Sequence, residues 1–89
     1  MATGTINRGL AFKTMYSTVP NGTSTFSTGT TGFAFLLFSN THMAIYGISG
    51  TNASLLCGNV PSTASVSYDN GTLTITNPNT WNARLFVIC

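Results

Sequence analysis

Ser65-Val66-Ser67-Tyr68-Asp69-Asn70-Gly71-Thr72-Leu73-Thr74-Ile75-Thr76 sets two runs of strict alternation on either side of an Asn-Gly pair. Val66 and Tyr68 alternate with serine before the pair, and Leu73 and Ile75 alternate with threonine after it. A period of two puts those four apolar residues on one face of a pleated ribbon and the hydroxyls on the other. Asn and Gly both accept the positive φ that a two-residue hairpin turn requires. The stretch therefore predicts a β-hairpin with one apolar and one hydroxyl face.

The same grammar extends outward. Asn77-Pro78-Asn79-Thr80 reads as a connecting turn, and residues 84–89 as a terminal strand apolar on both sides. Residues 43–48 and 54–57 form a second pair across Ser49-Gly50-Thr51-Asn52. The unbroken apolar run at residues 33–38 fits a strand covered on both faces. Residues 10–16 alternate in part, and residues 23–28 are a polar run around Phe26, suited to an edge or surface strand. Helix formers are nearly missing: there is no Glu or Gln, and Lys13 is the sole lysine. Thr, Ser, Asn and Gly, which weaken helix interiors, take their place. Turn signals recur every 8–12 residues or so, the spacing of a sandwich or small barrel. The 89 residues read as all-β: one small antiparallel β-sandwich or jelly-roll-like domain over residues 8–89, with about seven to eight short strands.

Charge excludes much. Arg8, Lys13, Asp69 and Arg84 are the only charged side chains, 4% of the chain against about 25% in ordinary soluble domains. Glycosidase chemistry usually needs two carboxyl groups, and Asp69 is the only carboxylate side chain. Calcium wants several oxygen ligands including carboxylates. Zinc wants more than His42, Cys57 and Cys89 supply. Gly29-Thr30-Thr31-Gly32 has neither the Lys nor the helix of a phosphate loop. The expectation is a non-enzyme with no catalytic, cofactor-binding or metal site. A hydrolase built on His42, with Asp69 as orienting acid or Cys57 as thiol, is the remote reading.

A net charge of +2 spread over distant positions leaves no nucleic-acid footprint. The longest apolar run, six residues, falls far short of the roughly 20 of a membrane helix. The N-terminus lacks the basic stretch and apolar run of a signal peptide, so cytoplasmic synthesis is expected. Asn21, Asn52 and Asn70 form Asn-x-Thr/Ser sequons, and the two Asn-Gly-Thr ones, at Asn21 and Asn70, read as turns. Cys57 and Cys89 read as small buried hydrophobes. The threonine rows, a type of array that serves ice or sugar binding elsewhere, lack a fixed period here and read as solvent-facing strand positions. Trp81, in a polar turn among Asn and Thr, reads either as a cap over the core or a subunit contact, or, with Tyr46, as a ligand contact.

Two strands apolar on both faces exceed what a sandwich of this size needs. Their second face must meet a loop or another chain. Free sheet edges are normally guarded by Lys, inward charges, bulges or Pro, and the three prolines (Pro20, Pro61, Pro78) fall in turns. These features predict a symmetric homo-oligomer. Phe33, Phe35, Leu37, Val66, Tyr68, Leu73, Ile75, Phe86 and Ile88 are the expected core and interface residues.

The Ser/Thr/Asn/Gly-rich spacers and the apolar strand at residues 32–38 resemble small β-rich virion proteins of tailed bacteriophages: head fibres, decoration proteins and tail-fibre tips. So does the ending, in which Val66-x-Tyr68, an Asn-Gly turn and Leu73-Thr74-Ile75-Thr76-Asn77 precede a last hydrophobic strand. The resemblance implies a structural role on the virion, homotrimeric assembly, and an extended N-terminal arm (residues 1–7) docking on other virion proteins. The alternative role is a glycan-binding or host-receptor-binding tip, with Trp81, Tyr46 and neighbouring Asn residues as contacts.

Overall fold

A computed structural model describes residues 13–29 and 31–89. The expected arm at residues 1–7, and residues 8–12 of the expected domain, lie outside the described residues. Eight strands follow in order: β1 (Thr14–Val19), β2 (Gly22–Ser27), β3 (Thr31–Ser39), β4 (His42–Ser49), β5 (Asn52–Gly58), β6 (Ser65–Asp69), β7 (Thr72–Asn77) and β8 (Ala83–Ile88). There is no helix among the described residues. Every pairing is antiparallel, in two sheets of strand order β1-β8-β3-β4-β5 and β2-β7-β6. The chain is a β-sandwich. Its five-plus-three division differs from the two four-stranded sheets of a symmetric eight-stranded jelly roll, because β3, β4 and β5 run on as a meander within one sheet.

The hairpin read from the sequence is β6–β7. Asn70 (φ 46°) and Gly71 (φ 89°) form its turn, between the paired residues Asp69 and Thr72. The second hairpin, β4–β5, turns at Gly50 (φ 62°). All three prolines lie between strands, where their missing N–H leaves no gap in a ladder. The first described strand, Thr14–Val19, runs past the expected end at Tyr16 and stops where Pro20 follows Val19. Residues 10–12 of the expected run lie outside the described residues.

Alternation decides the core. Ala34, Leu36 and Phe38 of β3, Ala44, Tyr46 and Ile48 of β4, and Ala83, Leu85 and Val87 of β8 face inward from the larger sheet. Tyr68, Leu73 and Ile75 meet them from the smaller one, with Val66 and Phe26 half-buried beside them. Leu36, Phe38, Leu73, Ile75 and Leu85 are all under 2% exposed. Burial of each is worth about 1.5–3 kcal/mol. The expected core residues thus divide: Tyr68, Leu73 and Ile75 lie in the sandwich core, whereas Phe33, Phe35, Leu37, Phe86 and Ile88 point the other way.

Tyr68 is buried with its hydroxyl donating to the Gly29 carbonyl, so the ring enters the core with no polar group stranded. Leu56 is the extra residue of a β-bulge, between the pairs Ile45–Cys57 and Tyr46–Leu55. That bulge breaks the regularity of an otherwise open sheet edge. Gly58 ends the strand at φ 91°, and a Cβ there would collide with the Met43 carbonyl oxygen. Gly58→Ala should therefore destabilise the fold by about 2 kcal/mol from backbone strain alone, read as a lower chemical-denaturation midpoint with an unchanged slope. An unchanged midpoint would mean that the bulge relaxes freely.

Candidate functional site

The outward face of the larger sheet carries the feature that the sandwich itself does not use. Cross-strand register aligns Tyr16 (β1), Phe86 (β8), Phe35 (β3), Ile45 (β4) and Cys57 (β5) in one row across all five strands. Tyr16 meets Phe86 edge-on, with ring centroids 5.5 Å apart, and Phe86 meets Phe35 at 5.8 Å. Such pairs add about 0.5–1.5 kcal/mol each beyond the area they bury. The flanking rows are Thr14, Ile88, Phe33 and Gly47 on one side, and Thr18, Arg84, Leu37 and Met43 on the other. Gly47 leaves room for Leu56, whose side chain would touch a Cβ placed there at 3.4 Å.

Much of this face is open to solvent, with Phe35, Ile45, Phe86 and Ile88 half-buried among their neighbours. Phe33, Leu37 and Met43 are nearly half exposed and Tyr16 is 76% exposed, so nothing in the described chain covers the face. Arg84 is the only charged side chain in its rows. The opposite outer face, on the smaller sheet, is its chemical inverse. Thr23, Thr76 and Ser65 form one row, Thr25, Thr74 and Ser67 the next, and Ser27, Thr72 and Asp69 the third. Within the first row, the Thr23 and Thr76 hydroxyls are 2.9 Å apart. The domain is two-faced: aromatic and aliphatic on one side, hydroxyl on the other.

A second feature lies at the β3–β4 end of the apolar face. Trp81, in the β7–β8 connection, is 55% exposed, and its Nε1 donates to the Phe38 carbonyl at 2.8 Å. Asn77, wholly buried, donates from Nδ2 to the carbonyls of Val19 (2.8 Å) and Trp81 (2.9 Å), and its Oδ1 accepts from the Asn79 N–H (2.9 Å). Trp81 thus caps one end of the sandwich while more than half of its surface stays exposed. It borders a hollow of about 490 Å³ shared with Leu37, Ser39, Asn40, Met43, Asn82 and Arg84.

Several expectations need correction. Tyr46, expected beside Trp81 as a ligand contact, is 7% exposed in the core, because its strand alternation faces it toward the smaller sheet. Burial pushes its phenol above the usual value, so it stays an uncharged core ring at neutral pH. Cys57 and Cys89, expected as buried thiols, are free, the first exposed and the second half-buried. Cys57 is exposed because β5 is an edge strand. Cys89 Sγ instead accepts from the Gly29 N–H at 3.1 Å.

His42 and Asp69 are not brought together. His42 opens β4, with Nδ1 at 3.3 Å from both the Ser39 and Thr41 hydroxyls. Asp69 ends β6 beside the turn at the other end of β4, where the Asn70 N–H donates to the Gly50 carbonyl at 2.9 Å. Among the described residues there is no group of three or more His, Cys, Asp and Glu side chains placed to hold a metal. No described helix is long and apolar enough to cross a membrane.

Sequence reasoning missed Tyr16, Met43, Ile45 and Leu56 as members of the apolar face. Each needs a pairing between strands distant in sequence to reveal its neighbours. Comparison with protein-family models, with curated proteins and with solved structures found no match to the chain.

Proposed function

We propose that the protein is a non-enzymatic structural component of a bacteriophage particle that assembles as a homo-oligomer on the virion surface. The observation that carries the assembly reading is the five-strand apolar face, continuous from Tyr16 to Cys57 and uncovered in the described chain. Five strands about 4.8 Å apart and six residues of about 3.4 Å each give a footprint near 500 Å² per chain. That is at the upper end of apolar patches on ordinary monomers, and three such faces brought together cover about 1,500 Å² in the assembly.

A trimer suits the geometry. Three sheets turned toward a common axis bury their aromatic rows against one another and leave the hydroxyl faces outward in water. The scarcity of charge fits this arrangement, since solubility then rests on the Ser and Thr side chains of the smaller sheet. The virion context rests on the resemblance to small β-rich phage proteins. In that setting, residues 1–7 would attach the trimer to its neighbours on the particle.

Light scattering on the purified chain should return the mass of three copies. A stable monomer would overturn the assembly reading. Neighbouring genes should encode capsid or tail proteins, and a gene setting without any would remove the virion context while leaving the oligomer intact.

A further inference from the structure

We propose that the hollow between Trp81 and the β3–β4 turn is a binding site for a carboxylate-bearing sugar of the uronic or sialic acid kind. The indole is anchored through Nε1, which donates to the Phe38 carbonyl at 2.8 Å, and the main chain that carries it through the Trp81 carbonyl, which accepts from buried Asn77 at 2.9 Å. A ring anchored this way, yet belonging to a residue 55% exposed, can meet a ligand without further ordering of the side chain. Its π-face carries the negative side of the ring quadrupole and attracts the positively polarised C–H face of a pyranose.

Polar groups around it are unspent. Among the described residues, no side-chain hydrogen bond engages Asn40, Asn82 or Arg84, and all three line this hollow. Amides donate to and accept from ring hydroxyls. The guanidinium of Arg84 suits a carboxylate, which it can hold with two parallel N–H donors. No acidic side chain lines the hollow, so any negative charge must come with the ligand. A shallow depression of about 490 Å³ matches one or two sugar rings in size.

Trp81 is the only tryptophan, so its fluorescence reports on this site alone. The full chain should be titrated with glucuronic acid and N-acetylneuraminic acid, with glucose and galactose as neutral partners and with a short peptide ending in a free carboxylate. Saturable change with the acidic sugars, at least tenfold weaker with the neutral ones and in Arg84→Gln, is the expected result. On a glycan array, Trp81→Ala should lose all signal.

Folding of each variant is checked by circular dichroism, and Arg84→Gln, at an exposed position, remains informative even if Trp81→Ala unfolds. A flat titration by folded protein overturns the site. Equal response to acidic and neutral sugars, or an unchanged Arg84→Gln, overturns the acidic class. A response to the peptide alone overturns the sugar. Leu37, Met43 and Arg84 belong both to this hollow and to the face read as the contact between copies. The titration is therefore run on dissociated chain as well as on the oligomer, with light scattering giving the mass. A flat response from folded, dissociated chain overturns the site whatever becomes of the oligomer.

Discussion

Asn77→Leu should lower the unfolding free energy by about 3 kcal/mol, from the loss of partners to three backbone groups at about 1 kcal/mol or more each. The side chain is wholly buried at the end of β7. It serves the Val19 carbonyl, the Trp81 carbonyl and the Asn79 N–H at once. Leucine has nearly the same size, so packing is kept while all three bonds vanish and three backbone groups lose their partner. In a domain of this length such a loss lowers the melting temperature by about 12–24 °C. Asn77→Asp should be comparably damaging for a different reason. It keeps the acceptor for Asn79 but turns a carboxylate toward the Val19 and Trp81 carbonyls.

Calorimetry at one fixed protein concentration checks both variants, since an oligomer's melting temperature moves with concentration. A fall under about 1 kcal/mol for Asn77→Leu would mean that water replaces the amide. Because Asn77 also grips Trp81, the leucine variant should blunt any sugar-induced fluorescence change even below its melting temperature.

Legibility from sequence divides along a physical line. The β6–β7 hairpin was plain because its evidence is local: alternation on both arms and an Asn-Gly turn, which the structure places at φ 46° and 89°. The two strands apolar on both faces were also plain, and they are neighbours at the centre of the larger sheet. What alternation alone left open was which side faces the core. In the run at residues 33–38 both registers are apolar, and the structure buries Ala34, Leu36 and Phe38 while leaving Phe33 and Leu37 near half exposure. The inner side of this run carries Ala34, Leu36 and the Phe38 ring, whereas the Phe33 and Phe35 rings are turned out.

Tyr46 was misread because a tyrosine between an isoleucine and a glycine carries no mark of which side it faces. Pairing of β1 with β8 joins opposite ends of the chain. No local signal announces it, so the aromatic row from Tyr16 through Phe86 to Phe35 was invisible until the register was known. Asn77 was legible only as a turn residue. Its role follows from three backbone groups that converge on one amide, which only the fold brings together.

Phe86→Arg should convert the oligomer into folded monomers. Phe86 stands at the middle of the aromatic row, touching Tyr16 on one side and Phe35 on the other. Its side chain faces away from the sandwich core, so the monomer loses only those two ring contacts, about 1–3 kcal/mol together. In the assembly the change is far more severe. Arg84 stands in the outer row, where its head can reach the rim of the contact. A guanidinium in the middle row, enclosed by apolar side chains with no carboxylate near it, costs several kcal/mol per chain, and each copy contributes one. Arg84 lies two residues away on the same face, so the new charge also meets a like charge.

Light scattering should then give the mass of one chain at micromolar concentration, with the circular dichroism of the parent. The matched control is Thr74→Arg, at the centre of the hydroxyl face, which adds the same charge to the opposite side of the sandwich. That variant should keep the parental mass. If the pattern reverses, with Thr74→Arg dissociating and Phe86→Arg remaining assembled, the copies meet through the hydroxyl face. The aromatic row would then need another partner to cover it. If neither variant changes the mass, association runs through strand edges, β1 against β5 of the next copy, and a proline at Thr18 or Ser54 becomes the decisive substitution.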